Sequence, residues 1–276
     1  MRLVKQIGTV GGVAVAGKLV LAAVGGSWLL TLVLGVATAV LALLAYVWVV
    51  RRTEHRDPVE VALRGARSAV GRGVGIGVVM FLAVIASITL AGGYHVDGWG
   101  SVGVTLGLVG VTALAAVTEE LVFRGILFRV LERRTGTWLA LAVTSAMFGA
   151  LHLLNPDATL WGAVAIAVEA GGVLGAAYVA TRSLWLPIGI HFGWNFAVAG
   201  IFGTVVSGSA TPQGLLLGST SGPVLLSGGA FGPEASLSAV VAGLVMTAVF
   251  LRLAHRRGRL VPMRRRAELV ESTATV

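Results

Sequence analysis

The chain has 276 residues, of which 56% are hydrophobic and 12% are charged, and its mean hydropathy is +0.90. Soluble domains carry roughly 25% charged residues, so this composition excludes an ordinary soluble domain and indicates a protein of the lipid bilayer. Cysteine does not occur, which excludes disulfides, thiolate catalysis and cysteine metal sites. The net charge of +9 does not indicate nucleic-acid binding, because the basic residues lie at the ends of apolar segments.

Apolar segments predict about eight membrane spans. Residues 7–50 are apolar except for Lys18; this is too long for one crossing and suits two, with a turn at 25–27. A basic segment, 51–73, follows. The further spans are predicted at 74–93, 101–134, 137–154, 159–181, 184–205 and 237–254, with a short polar turn around Asp97. The expected fold is an all-α polytopic transmembrane helix bundle.

The distribution of positive charge predicts the orientation. With the N-terminus inside, every Lys and Arg except Lys18 falls in a segment expected inside, and the predicted outer loops contain none. Because Lys and Arg concentrate in cytoplasmic segments, we expect a multi-pass cell-membrane protein with both termini in the cytoplasm. The arginine clusters are expected to contact anionic lipids as well, and Lys18 to snorkel.

Few ionisable side chains lie within the predicted spans, where they are costly and commonly functional. They are Lys18, Glu119, Glu120, Arg124, His152, Glu169 and His191, with Asn195 as a polar companion. The sequence does not decide the role of Glu169, which is expected to be a structural carboxylate, a partner of the site residues or part of a substrate path.

The first pattern among these residues is Glu119-Glu120 followed by Arg124. Glu120 and Arg124 are four residues apart, in the order that favours an ion pair on one helix face. Glu119 projects about 100° away from Glu120 around the helix. It is therefore the carboxylate expected to face a cavity and act as a general base.

Two further patterns use the same four-residue spacing. Phe148 and His152 place an aromatic ring and an imidazole on one face of a helix, and His191 and Asn195 place an imidazole and a carboxamide on one face of a later helix. If the chain reverses at Thr135-Gly136, Glu119 and His152 are equally far from the turn and lie at the same depth. Such a set could support peptide hydrolysis without a nucleophilic serine or a thiol. Glu119 and His152 would activate a water molecule, and His191 with Asn195 would stabilise the oxyanion.

These three motifs, in this order on late helices, resemble the CPBP family of CAAX proteases and bacteriocin-processing or immunity proteins. That family, also called Abi, includes the Ras-converting prenyl-protein endopeptidase. The resemblance covers about 118–196, and 181–187 is similar as well; 231–234 is only reminiscent of bacterial members. It implies an intramembrane glutamic endopeptidase that uses no metal or other cofactor. Glu119, His152, His191 and Asn195 would be catalytic and Glu120, Arg124 and Phe148 supporting.

The chain is then divided into three regions. Residues 1–73 hold two spans and the basic segment, 74–254 form the catalytic bundle with core motifs at 118–196, and 255–276 form a basic tail expected to be disordered. The Gly/Ser-rich loop 206–236 is expected either on the membrane surface or folded partly back into it. The Arg, Ala, Gly and Val bias is typical of a bacterial, high-GC genome.

The expected substrate is a membrane-associated protein or peptide, with the lipid bilayer as the other partner and no nucleic acid. A zinc peptidase with Glu119, His152 and His191 as ligands is one alternative, although no HExxH motif is present. A bacteriocin immunity or scaffold protein that binds without cutting is another. A proton-coupled transporter ranks lower, because the sequence shows no internal repeat.

Overall fold

The computed structural model describes residues 1–263, which form a bundle of apolar helices. The helices are α1 (Arg2–Ala23), α2 (Trp28–Glu54), α3 (Ala66–Leu90), α4 (Val102–Glu120), α5 (Arg129–Leu151), α6 (Leu160–Ile166), α7 (Gly172–Thr181), α8 (Trp185–Asn195), α9 (Val224–Ser227) and α10 (Leu237–Arg256). Two strands, β1 (Tyr94–Trp99) and β2 (Leu216–Thr220), complete the regular structure. The predicted all-α polytopic fold is confirmed.

Three segments of π-helix interrupt or extend these helices. Leu121–Phe128 joins α4 to α5, Ala167–Gly171 joins α6 to α7, and Phe196–Ile201 continues α8. Such segments are rare and often occur at functional sites, since the wider turn shifts the side chains that follow it.

Six helical segments are long and apolar enough to cross a membrane, so the expected number of eight spans is corrected. They are Arg2–Ala23, Trp28–Glu54, Ala66–Leu90, Val102–Leu154, Leu160–Thr181 and Leu237–Arg256. The predicted spans 101–134 and 137–154 both fall in the helical stretch Val102–Leu154 (53 residues), which counts as one of the six although the non-helical residue Gly136 divides it. The predicted span 184–205 is helical only over 185–201, which is short of the ~20 residues that a crossing needs.

The 53-residue segment folds back on itself at Gly136. Gly136 has a φ of 78° and a ψ of 171°, a conformation that glycine adopts without strain. The rings of Phe123 and Phe148 are 4.9 Å apart, whereas a straight helix would separate them by about 37 Å. The predicted turn at Thr135-Gly136 is therefore confirmed.

The polar turn expected around Asp97 is wrong, because these residues form β1. This strand pairs antiparallel with β2, from Tyr94 opposite Thr220 to Trp99 opposite Leu216, with a shift after Val96. Its partner comes from the loop 206–236, whose position the sequence left open. The loop packs on the bundle and contributes buried side chains to it, including those of Phe231 and Glu234.

The predicted tail begins within the bundle. Residues 255–256 end α10, and the backbone of Val261 is hydrogen bonded to the backbone and the side chain of Thr137. Arg257 and Arg259 both donate to the carbonyl of Ala180. The part of the predicted disordered tail from 264 to 276 lies outside the described residues.

The close contact between α3 and α8 is made by glycines of both helices, namely Gly73, Gly77, Gly189 and Gly193. A Cβ atom added at Gly73 would lie 2.5 Å from the carbonyl oxygen of Leu186. Cβ atoms at Gly77 and Gly193 would likewise meet the backbone of the facing helix. Small residues let helix backbones approach closely in lipid, where packing replaces the hydrophobic effect as the driving force.

We predict that Gly77→Ala destabilises the protein by about 1–3 kcal/mol, because the added methyl group forces α3 away from α8. Gly75→Ala is the matched control: it lies on the same helix, and nothing lies within 4 Å of its added Cβ. Unfolding in detergent followed by circular dichroism measures both. Equal stabilities of the two variants would contradict the packing argument.

Candidate active site

Glu120 and Arg124 form a buried ion pair between the end of α4 and the π-helical segment that follows. The guanidinium Nη1 of Arg124 donates to Oε1 of Glu120 over 2.7 Å, as the spacing predicted. Nη2 of Arg124 donates to the carbonyls of Ala170 and Gly171, at 3.2 Å each. The pair thus attaches α4 to the junction between the Ala167–Gly171 segment and α7.

His191 on α8 is held between the two neighbouring carboxylates. Its Nδ1 lies 3.0 Å from Oε1 of Glu120. The ion-paired carboxylate of Glu120 can only accept hydrogen bonds, so Nδ1 is the donor. The Nε2 atom lies 3.8 Å from Oε2 of Glu119, whose side chain is 22% exposed while that of Glu120 is fully buried. The two carboxylates therefore differ as the helix geometry predicted.

His152 lies at the end of α5, in a single 3₁₀ turn. Its Nδ1 donates to the carbonyl of Phe148 over 2.8 Å, since a carbonyl oxygen only accepts. In a neutral ring this leaves Nε2 as an acceptor. The Phe148 ring contacts the rings of His152 and His191, at centroid distances of 4.9 and 6.1 Å, and the Arg124 guanidinium lies 4.7 Å from its centroid.

A large cavity of about 370 Å³ brings Glu119, His152 and Asn195 together. Lys18 of α1 lines the same cavity. His191 is buried beside it, with Nε2 directed at Glu119. The four residues that the sequence singled out thus come from α4, α5 and α8, and all border one region.

Two residues of this region, Ser207 and Glu234, were not identified as site residues from the sequence, and both lie close to Trp194 of the third motif. Trp194 Nε1 donates to Oε1 of Glu234 over 2.9 Å, and the Ser207 hydroxyl donates to Oε2 over 2.8 Å; the Ser207 backbone N–H also donates to Oε2. Burial raises the pKa of Glu234, although these hydrogen bonds act in the opposite direction. The available signal was that Glu234 is the single charged residue of the segment 206–236.

The π-helical segments each adjoin a polar residue of this region. The first follows Glu120, the second contains Glu169, and the third follows Asn195. Hydrophobic periodicity could not reveal them, because their apolar residues continue the pattern of the flanking α-helices.

The zinc alternative needs three ligands close together. Within residues 1–263, no three His, Asp or Glu side chains lie near enough to one another to hold a metal ion. The described side chains thus do not fit the proposed zinc set, and we derive no step through a metal.

The fold and the site are those of a polytopic helical membrane protein with a buried polar site. Residues 101–197 match the family model described as type II CAAX prenyl endopeptidase, Rce1-like. This segment carries all four candidate catalytic residues and belongs to the CAAX protease family, as the motifs indicated. Comparison with curated proteins and with solved structures found no significant match.

We predict that Glu120→Ala lowers the free energy of unfolding by about 3–5 kcal/mol, because it leaves the buried Arg124 without its partner. Glu119→Ala, the adjacent residue, is expected to change it by less than about 1 kcal/mol, since its side chain is partly exposed and outside the ion pair. Thermal unfolding of both purified variants measures the difference. Similar losses in both would show that the two carboxylates do not have distinct roles.

Proposed function

We propose that the protein is an intramembrane endopeptidase that hydrolyses a peptide bond of a membrane-associated protein or peptide. The observation that carries this proposal is the shared cavity: a carboxylate, an imidazole and a carboxamide line it, and a second imidazole lies behind them. The match to the Rce1-like family supports peptidase chemistry in general.

Glu119 and His152 activate the water molecule in this proposal. Glu119 accepts one proton of the water while Nε2 of His152 accepts a hydrogen bond from the other hydrogen. The water oxygen then forms a bond to the carbonyl carbon of the substrate. This step needs acceptors at both groups, and the bond from His152 Nδ1 to Phe148 leaves its Nε2 able to accept.

Asn195 and His191 stabilise the negative charge that develops on the carbonyl oxygen. The amide of Asn195 donates directly, and His191 donates from Nε2 when both its ring nitrogens carry protons. Collapse of the tetrahedral intermediate breaks the C–N bond, and the proton held by Glu119 passes to the leaving nitrogen. The products are a carboxylic acid and an amine, and Glu119 is again ionised.

Glu120, Arg124 and Phe148 act through the other residues. The bond from His191 to Glu120 sets the direction of the imidazole, and Arg124 keeps Glu120 in place. The Phe148 ring separates the two histidines and its carbonyl sets the tautomer of His152. These are positioning residues.

We further propose that both termini face the cytoplasm. The basic segment 51–73 and the positions from Arg124 to Arg134 would then lie on the same side as the N-terminus. This assignment rests on the distribution of Lys and Arg, which concentrate on the cytoplasmic side of bacterial and other cell membranes.

The proposed activity is tested by measuring the abundance of peptide termini in a strain that carries Glu119→Gln and in the unaltered strain. We expect at least one terminus to fall by about 100-fold or more relative to the unaltered strain, because the general base is lost. Asp97→Asn, an exposed acidic residue on β1, is the control and is expected to leave all termini unchanged. Identical termini in all three strains would instead favour a non-catalytic immunity or scaffold protein.

Chelation tests the independence from metal. Treatment of the purified protein with a strong chelator is expected to leave cleavage of the peptide identified in that comparison unchanged, because the proposed base and oxyanion donors are all side chains. Loss of cleavage that added zinc restores would overturn the glutamate mechanism in favour of the zinc alternative.

A further inference from the structure

Glu169 is a buried carboxylate with an unsatisfied oxygen. The residue is 3% exposed, and its Oε1 atom is completely buried and has no hydrogen-bond partner among residues 1–263. A buried carboxyl group without a hydrogen bond is strongly unfavourable, so buried polar groups are nearly always satisfied by protein atoms or by ordered water.

A second, smaller cavity lies against Glu169. This inner chamber has a volume of about 30 Å³, and its polar lining consists of Glu169, Glu234, Ser207, His152, His191, Trp194 and Asn195. A single ordered water needs roughly 10–15 Å³ of such volume and two to four polar partners. The inner chamber therefore has room for about two water molecules and is too small for a substrate side chain.

Glu234 forms the opposite, rigid part of the lining. Both its carboxylate oxygens accept hydrogen bonds, one from Trp194 and the other from the hydroxyl and backbone N–H of Ser207. Ser207 has a φ of 48°, in the left-handed region, so the loop is held there in a conformation that serine seldom adopts. Trp194 lies on α8 between His191 and Asn195, so Glu234 is coupled directly to that helix.

The two cavities meet at the candidate catalytic residues. His152, Asn195 and Ser207 line both the inner chamber and the large cavity, whereas Glu119 lines the large one and Glu169 the inner one. A hydrolase surrounded by lipid must obtain its water from inside the protein or along a polar path.

We propose that the inner chamber holds ordered water that bridges Glu169 to Glu234 and His152, and that it is the internal water supply of the hydrolytic site. Glu169 and Glu234 are positioning residues for this water. The inference rests on the proposed function, which it extends from the reacting groups to the source of the water.

The first experiment observes the water and does not depend on activity. A density map of the protein in lipid nanodiscs, at a resolution that shows water, is expected to contain ordered water within hydrogen-bond distance of Glu169. The Glu169→Met variant is expected to lose it. A dry chamber, or Glu169 bonded to a protein side chain, would overturn the proposal.

Thermal stability distinguishes a water-binding carboxylate from a structural one. Because Oε1 of Glu169 has no hydrogen-bond partner among residues 1–263, Glu169→Met is expected to raise the unfolding midpoint by about 2–4 °C. Glu60 is the matched control: it is equally buried at 3% exposure, but it is paired with Arg56 and Tyr46, so Glu60→Met should lower the midpoint. A lower midpoint for Glu169→Met would show that Glu169 has a structural role instead.

The supply of water is tested in strains that carry Glu169 variants. The measurement is the abundance of the same peptide termini that are lost in the Glu119→Gln strain. Glu169→Met is expected to reduce cleavage by about 10-fold or more at unchanged protein level, as loss of a positioning residue does. Glu169→Gln, whose amide still binds water, is expected to retain most of it. Full cleavage by Glu169→Met would overturn the role of the inner chamber in supplying water. Unchanged termini with Glu119→Gln would instead overturn the peptidase function, whatever the density map shows in the inner chamber.

Discussion

The buried ion pair between Arg124 and Glu120 connects the helices on which the candidate site is built. In a low-dielectric interior such a pair is stabilised when further hydrogen bonds are made to its charged groups. Arg124 donates to the carbonyls of Ala170 and Gly171, and Oε1 of Glu120 also accepts from Nδ1 of His191, whereas Oε2 of Glu120 has no hydrogen-bond partner among residues 1–263. These bonds join α4, the Ala167–Gly171 segment and α8, and they direct the second nitrogen of His191 toward Glu119.

Packing of backbone against backbone supports this arrangement from the other side of α8. Glycines bring α3 and α8 together so closely that no side chain fits between them. Helices in lipid gain little from burying apolar surface, so such contacts and interhelical polar bonds are the main sources of their association. Glycine contacts hold α8 on one side and Glu120 holds it on the other. The orientation of the helix is therefore fixed, with His191 facing Glu119 and Asn195 lining the large cavity.

The positions of the two cavities suit hydrolysis inside a membrane. In the proposed reaction a substrate peptide and water must reach the same atoms, and the residues that border both cavities are His152, Asn195 and Ser207. The large cavity has the volume to accept part of a peptide, while the inner chamber has room for about two water molecules and is lined by both polar and apolar side chains. Separate routes would allow water to be present without opening the site to bulk solvent.

Features that depend on neighbouring residues could be derived from the sequence. Composition and apolar segments predicted a helical membrane bundle, the four-residue spacing predicted the Glu120–Arg124 pair, and Gly136 marked the turn between Glu119 and His152. All three were confirmed, because helix geometry and the conformational freedom of glycine act over one or two turns of the chain. The family motifs are also local patterns, which is why they were visible.

Features that join distant parts of the chain were decided by the tertiary structure alone. The pairing of β1 with β2, the bond between Glu120 and His191, and the approach of Glu234 to Trp194 each bring together residues that lie far apart in sequence. The number of candidate spans also changed, since two predicted spans lie in one helical stretch that reverses at Gly136 and the predicted span 184–205 is helical only over 185–201. Sequence spacing determines which side chains share a helix face, but only the packing of the helices determines which faces meet.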